Sequence, residues 1–347
     1  MKAIVKYALG PEGMGLMEVP EPTPKEGELK VKVLAAGICG GDIYSMKDIR
    51  TTIMPVILGH EYVGQVVETC GDVGEFKVGD HVVTLPACYG CGECEFCKAG
   101  LVTLCDQRAS IGTHRNGAMA EYVVVPAKYS FKVPEDADDI IAYALSEPFT
   151  CAVRGVYERI NVNPGDIAVV SGPGNMGQFA IQALKSRGAY VIASGLKSDA
   201  HRLQLARELG ADAIADNLED LKAEIHKVRP GGAQIVVEAA GHPSSLAVCL
   251  DVAGKSSTLL CLGYHGGKDI SLRFDATHEK EMAVFGSNST AMSSWEISMK
   301  LMKEKKVNLS PLVSMKLPLS QWKRGFEAVI NKEAYKVVFC PDLDNQS

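Results

Sequence analysis

Gly172-Pro173-Gly174-Asn175-Met176-Gly177 constrains the fold more tightly than any other stretch of the chain. The pattern is G-x-G-x-x-G. It directly follows the apolar run Ile167-Ala168-Val169-Val170 and opens a segment patterned as a helix from about Asn175 to Ser186. A short, wholly apolar run suits a strand covered on both faces. Strand, glycine turn and helix in this order form a dinucleotide-binding fingerprint. Gly172 permits the tight turn, Gly174 the close approach of a pyrophosphate, and Gly177 the packing of helix on strand. The helix N-terminus, with Asn175 and Met176, then stabilises the anion. The plainer alternative is a structural glycine turn.

The surrounding pattern extends this unit. Tyr190–Ala193, Gln234–Val237 and Thr258–Cys261 read as further buried strands. Helices are expected over Ala200–Leu209, stopped by Gly210, and near Ser244–Val252. Alternating strands and helices predict an α/β, doubly wound parallel sheet. The first 150 residues differ. Leu29–Val33, Val63–Val67 and His81–Thr84 are short, Val-rich and bounded by Gly and Pro, as in an all-β, barrel-like domain. Helical patterning there is scarce until about Asp139. The expected division is 1–150, completed by 287–347, with 151–286 as the nucleotide domain. The last part holds a helix from about Ser294 to Lys305 and a strand Lys336–Phe339.

The second strand of a dinucleotide-binding sheet ends in an acidic residue when it holds a ribose 2′-hydroxyl. Here Ser194-Gly195 stands at that end, followed by Leu196-Lys197-Ser198-Asp199. Gly195 leaves no carboxylate to repel a 2′-phosphate, and Lys197, His201 and Arg202 are nearby cations. Asp199 pulls the other way, and Arg202 also suits adenine stacking or an ordinary helix surface. NAD and NADP both stay open.

Eleven cysteines are an odd number, and five of them fall between Cys88 and Cys105. In a reducing compartment such a cluster points to metal before disulfides. Cys91, Cys94, Cys97 and Cys105 form C-x2-C-x2-C-x7-C, able to close a tetrahedron around zinc. Four thiolates leave no open position, so that site is structural. Unligated thiols and an iron–sulfur cluster are the competing readings. Cys88 is expected to be a spectator.

A second constellation is Gly37-Ile38-Cys39-Gly40-Gly41-Asp42 with Gly59-His60-Glu61. One thiol, one imidazole and one carboxylate suit a catalytic zinc. Separately, Gly-His-Glu reads as a turn and Cys39 as core; beside a thiol cluster and a nucleotide fingerprint they gain weight. Glu147, before Pro148 at the domain junction, is a further carboxylate or a hinge residue. The net charge of −6 argues against a broad nucleic-acid surface, which needs clustered Lys and Arg. No run of 18 apolar residues suggests a membrane span, and the start alternates like a strand rather than a signal peptide. A cytoplasmic location is expected.

Together these residues resemble the zinc-dependent medium-chain dehydrogenase/reductase family, most closely its sorbitol (polyol) and threonine dehydrogenase branch. Supporting stretches are Gly117–Tyr122, Ser146–Thr150, Val162–Asp166 and Lys336–Pro341. The resemblance implies a GroES-like β-rich catalytic domain and a Rossmann domain, the C-terminal segment returning to the former. It assigns Cys39, His60 and Glu61 to a catalytic zinc, with Glu147 a fourth ligand or the holder of a water. It implies NAD or NADP, hydride exchange with a secondary alcohol or its ketone, and a homodimer or homotetramer. A polyol or sugar-alcohol derivative is the expected substrate. An L-threonine or diol dehydrogenase is the sibling reading, and a catalytically silent zinc- and nucleotide-binding protein the reading of another class.

One departure concerns Gly41. Relatives place Ser or Thr there, two residues after the first zinc cysteine, as a proton relay. Glycine has no hydroxyl, which leaves a water, Tyr44 or Ser45. The stretch Ser45–Thr52, which includes Thr51, is expected to border the substrate. In it, Lys47 and Arg50 could bind a carboxylate or phosphate, or be plain solvated charges. Gly286–Ser289 follows a strand and either faces the nicotinamide or forms a simple turn.

Overall fold

The computed structural model describes residues 1–50 and 52–345; Thr51, in the stretch expected to border the substrate, lies outside the described residues. The chain divides into two compact units. The first is Met1–Glu147, Thr290–Met299 and Leu309–Ser347; the second is Pro148–Ser289 and Lys300–Asn308.

In the first unit a long, bent strand pair, Glu28–Gly37 against Glu61–Cys70, forms the spine of a mostly antiparallel sheet. The sheet runs Val313–Leu317, Lys336–Phe339, Glu28–Gly37, Glu61–Cys70, His81–Thr84, Ser130–Lys132, with Tyr122–Pro126 also on Glu28–Gly37. Leu29, Val31 and Val33 alternate inward, as a half-buried strand requires, and meet Tyr62, Val66, Val82 and Phe339 in one core. Register shifts between Lys30 and Val31 and between Val33 and Ala35 bend the pair. The return of Lys336–Phe339 to the edge of Glu28–Gly37 brings sequence-distant residues beside the first unit's motifs.

The helix Gly40–Met46 departs from the sequence reading, which expects little helix before Asp139. Gly-Gly-Asp-Ile-Tyr-Ser-Met has no helical periodicity. The helix is held by its cap: Cys39 Sγ accepts from the Gly41 N–H, and the Asp42 carboxylate accepts from the Cys39 N–H at 2.9 Å.

In the second unit six strands, among the described residues, form a parallel sheet ordered Ala213–Ala215, Tyr190–Ser194, Ile167–Ser171, Ala233–Glu238, Ala253–Cys261, Ala283–Gly286. This is the Rossmann order, with its switch point beside Ile167–Ser171. Ala168, Val169 and Val170 are fully buried, as strands covered on both faces must be. Among the described residues no helix is long and apolar enough to cross a membrane.

Candidate active site and metal centres

The thiol loop is wound by its own backbone. The Glu93 and Cys94 N–H groups donate to Cys91 Sγ, and the Cys97 N–H donates to Cys94 Sγ. Donors of this kind favour thiolates, and they hold Cys91 down to about 6. Cys97 receives similar help from the Gly92 N–H, yet burial and the neighbouring sulfurs push it up to about 12. Four adjacent thiols cannot all ionise without a cation between them. The Cys91 and Cys97 sulfurs lie 3.9 Å apart, and those of Cys91 and Cys105 3.7 Å. A zinc tetrahedron with Zn–S of about 2.3 Å spaces its sulfurs by about 3.8 Å. The four residues therefore fit a closed zinc site. Cys88 stands outside this set, and burial pushes its thiol up to about 12.

Cys39, His60 and Glu61 come together as a second group, their ligand atoms all within 4.8 Å of one another. Cys39 caps the Gly40–Met46 helix, while Glu61 opens its strand opposite Gly37. A Cβ on Gly37 would lie 2.6 Å from Glu61 Oε2, so glycine makes room for the carboxylate. Burial opposes charge on His60, but the adjacent Cys39 side chain, helped by Asp42 and Glu147, raises its pKa to about 10. That proton affinity marks a point where the surrounding anions demand a cation. A divalent metal with soft and borderline ligands meets the demand. Asp42 lies 3.8 Å from His60 Nδ1, beyond hydrogen-bond reach, and acts on the ring through charge.

A residue the sequence reading did not place here is Lys336. Its ammonium donates to both Glu61 oxygens, at 2.5 and 2.6 Å, and to the Ile38 carbonyl at 3.2 Å. Both side chains are buried. Burial opposes the lysine's charge, and Glu61 outweighs it, so the Lys336 pKa is raised. The sequence signal is faint: a lysine opening the otherwise apolar run Val337-Val338-Phe339. Its partner lies 275 positions away.

Glu147 is buried at the start of the helix Ser146–Val153. Its charge raises His60 and Lys336, but its carboxylate is not part of the mutually close set. Gly41 offers no hydroxyl. Ser45, one suggested substitute, is buried and takes a hydrogen bond from Thr52 Oγ1 at 3.0 Å. The space a Cβ on Gly41 would occupy lies 2.7 Å from the Arg50 guanidinium, 3.7 Å from Cys39 Sγ and 3.8 Å from His60 Cε1.

In the second unit Gly172 adopts φ 101°, and a Cβ there would meet the Ala240 backbone at 2.8 Å. A Cβ on Gly177 would lie 2.0 Å from the Gly172 carbonyl oxygen. On Gly174, which caps the helix Asn175–Ser186 without a side-chain acceptor, a Cβ would meet nothing within 4 Å. Two glycines are thus required by packing, and the third opens onto free space before uncapped helical N–H groups. That cradle fits a pyrophosphate. After the strand Tyr190–Ser194, Gly195 lies against Pro173, and Lys197 is exposed. Asp199 accepts from the Leu196 N–H at 3.1 Å, so its carboxylate is committed to the turn. Arg202 is half-buried, its carbonyl accepting from Gln178.

Comparison with known proteins agrees with this geometry. Residues 25–135 match the alcohol dehydrogenase GroES-like domain, and residues 176–304 the zinc-binding dehydrogenase domain. The chain is 35% identical to a sorbitol dehydrogenase of Halalkalibacterium halodurans, covering 98% of this chain and 99% of the relative. It is 34% identical to a D-arabitol-phosphate dehydrogenase of Enterococcus avium, over 97% of both. A protein of Sinorhizobium meliloti 1021, described as a zinc-binding dehydrogenase and solved bound to NADP, superposes with a TM-score of 0.87 at 28% identity, over 98% of this chain and 99% of that one. The chain belongs to the zinc-dependent medium-chain dehydrogenase/reductase family. It is an NAD(P)-dependent alcohol dehydrogenase whose metal is zinc.

Proposed function

We propose that the chain oxidises a secondary alcohol of the polyol or sugar-alcohol class to its ketone, reversibly, with NAD or NADP. The observation that carries this is the convergence of the Cys39 thiol, the His60 imidazole and the Glu61 carboxylate within 4.8 Å of one another. Identity to the sorbitol and arabitol-phosphate enzymes supports the substrate class. When bound, zinc supplies Lewis acidity toward the alcohol or ketone oxygen, and the nicotinamide exchanges hydride with the carbinol carbon.

The chain's own residues provide the setting. Cys39, His60 and Glu61 would hold the catalytic metal, and Glu147 would serve as a fourth ligand or hold a water beside it. Lys336 offsets the charge of Glu61 and fixes its carboxylate. Asp42 favours a polarised His60. Cys91, Cys94, Cys97 and Cys105 hold the structural zinc. Gly172, Gly174, Asn175, Met176 and Gly177 receive the pyrophosphate, while Gly195, Lys197 and Arg202 stand at the adenosine ribose. With Asp199 held by Leu196, this end tolerates a 2′-phosphate. The first unit acts as the catalytic domain and the second as the nucleotide domain. Assembly is a homodimer or homotetramer, and the location is the cytoplasm. A panel of polyols, diols and L-threonine with NAD⁺ and NADP⁺, followed at the reduced-nicotinamide absorbance, tests the reading. Polyols are expected to give the highest kcat/KM; a zinc-loaded protein that oxidises no alcohol in the panel would refute it.

A further inference from the structure

We infer that Arg50 selects alcohols carrying an oxyanion, a phosphate ester or a carboxylate, close to the carbon that is oxidised. The inference rests on the dehydrogenase reading and specifies its substrate class. Arg50 is half-buried, and among the described residues its guanidinium forms no ion pair. Its position is built. The Ile49 and Arg50 N–H groups donate to the Tyr44 carbonyl, and the Ile53 N–H donates to Thr113. Asp48, at φ 56°, is tied to Lys6 at 2.9 Å and to the Gly10 N–H at 2.5 Å. This anchored turn carries Arg50 back over the start of the Gly40–Met46 helix. Arg50 Nη1 stands 2.7 Å from where a Cβ on Gly41 would lie, so a larger residue there would shift the guanidinium. The same point lies 3.7 Å from Cys39 Sγ and 3.8 Å from His60 Cε1, so the cation borders the metal ligands.

The groups facing Arg50 leave its charge unanswered. Asp42 feels the guanidinium, but its carboxylate is buried and engaged with the Cys39 N–H and the charge of His60. His114 is held neutral by burial and by Arg50 and Arg108, and its Nδ1 accepts from the Ser110 N–H at 3.2 Å. An arginine fork without a carboxylate partner is suited to bidentate recognition of a phosphate or carboxylate. Arg50 thereby turns the missing hydroxyl at position 41 into a specificity device.

The test uses the zinc-loaded enzyme and matched pairs: sorbitol with sorbitol 6-phosphate, and 1-aminopropan-2-ol with L-threonine. The wild type is expected to favour the anionic member of one pair in kcat/KM by about 10- to 100-fold, the range of a hydrogen bond to a charged group. A preference in the first pair identifies a phosphate ester, and one in the second a carboxylate. Arg50→Gln should collapse that ratio mainly through KM, and Arg50→Lys should restore part of it. Gly41→Ala, which keeps the charge but displaces it, should lower it as well. Calorimetric titration with sorbitol 6-phosphate and L-threonine in the presence of NADH, which cannot accept hydride, supplies a readout independent of turnover. Arg50-dependent binding of an anionic member without turnover would refute the dehydrogenase reading and leave only an oxyanion site at Arg50. Equal affinity for neutral and anionic members, or a ratio unchanged in Arg50→Gln of normal zinc content, would overturn it.

Discussion

At the scale of single residues, Glu61 and Lys336 form an ion pair buried on both sides. Breaking a buried ion pair from one side leaves an uncompensated charge and costs about 3–5 kcal/mol. Lys336→Met is therefore expected to lower unfolding stability by about that amount, and Glu61→Gln in the same chain to recover much of it; denaturant titration reads both. No loss in the single variant would show that Glu61 is already neutral. His60 gives a second prediction. Its folded pKa of about 10 stands above the ordinary 6.5. Its imidazolium thus contributes stability that is complete below pH 6.5 and lost as pH rises through about 10. Chelator-treated protein should lose stability steadily from pH 6.5 upward, with a shallower slope in His60→Asn. Equal slopes would contradict the charge environment described. The contact of Lys336 was hard to read in the sequence because its partner Glu61 is 275 positions away and no local pattern encodes that crossing. For Arg50 the sequence offered an anion site or a solvated charge, and its placement beside Gly41 bears on that choice.

At the scale of elements, local chemistry was legible and cooperative geometry was not. The strand Ile167–Ser171, its glycine turn and the helix Asn175–Ser186 follow from an apolar run, three glycines and helical spacing. The thiol loop is equally local, since four ligands within fifteen residues must meet if they meet anything. The helix Gly40–Met46 escaped because its stability lies in the Cys39–Asp42 cap rather than in periodicity. Ala213–Ala215, three residues long, is too short for alternation to register. Gly177→Ala tests the nucleotide element. A Cβ 2.0 Å from the Gly172 carbonyl oxygen forces the helix off the strand. Affinity for NAD⁺ and NADP⁺ should fall by at least about tenfold, roughly 1.4 kcal/mol. Fluorescence titration measures it, and unchanged affinity would show that this turn does not receive the dinucleotide.

For the whole molecule, the sequence changes texture near residue 150, from short Val-rich strands to alternating strands and helices. The compact units are not two continuous stretches of chain. Lys300–Asn308 groups with the second unit although residues on both sides of it belong to the first. A helix, Met292–Lys303, serves both, and its pattern does not say where one ends. On the proposed function one chain carries two zincs of different kinds, one closed by four thiolates and one at the thiol, imidazole and carboxylate. Metal analysis of the wild type beside Cys39→Ser, with alcohol oxidation followed in the same samples, tests this most directly. About two zincs per wild-type chain should fall to about one in the variant, with turnover lost and the fold retained. A variant that keeps both its metal complement and its turnover would contradict it.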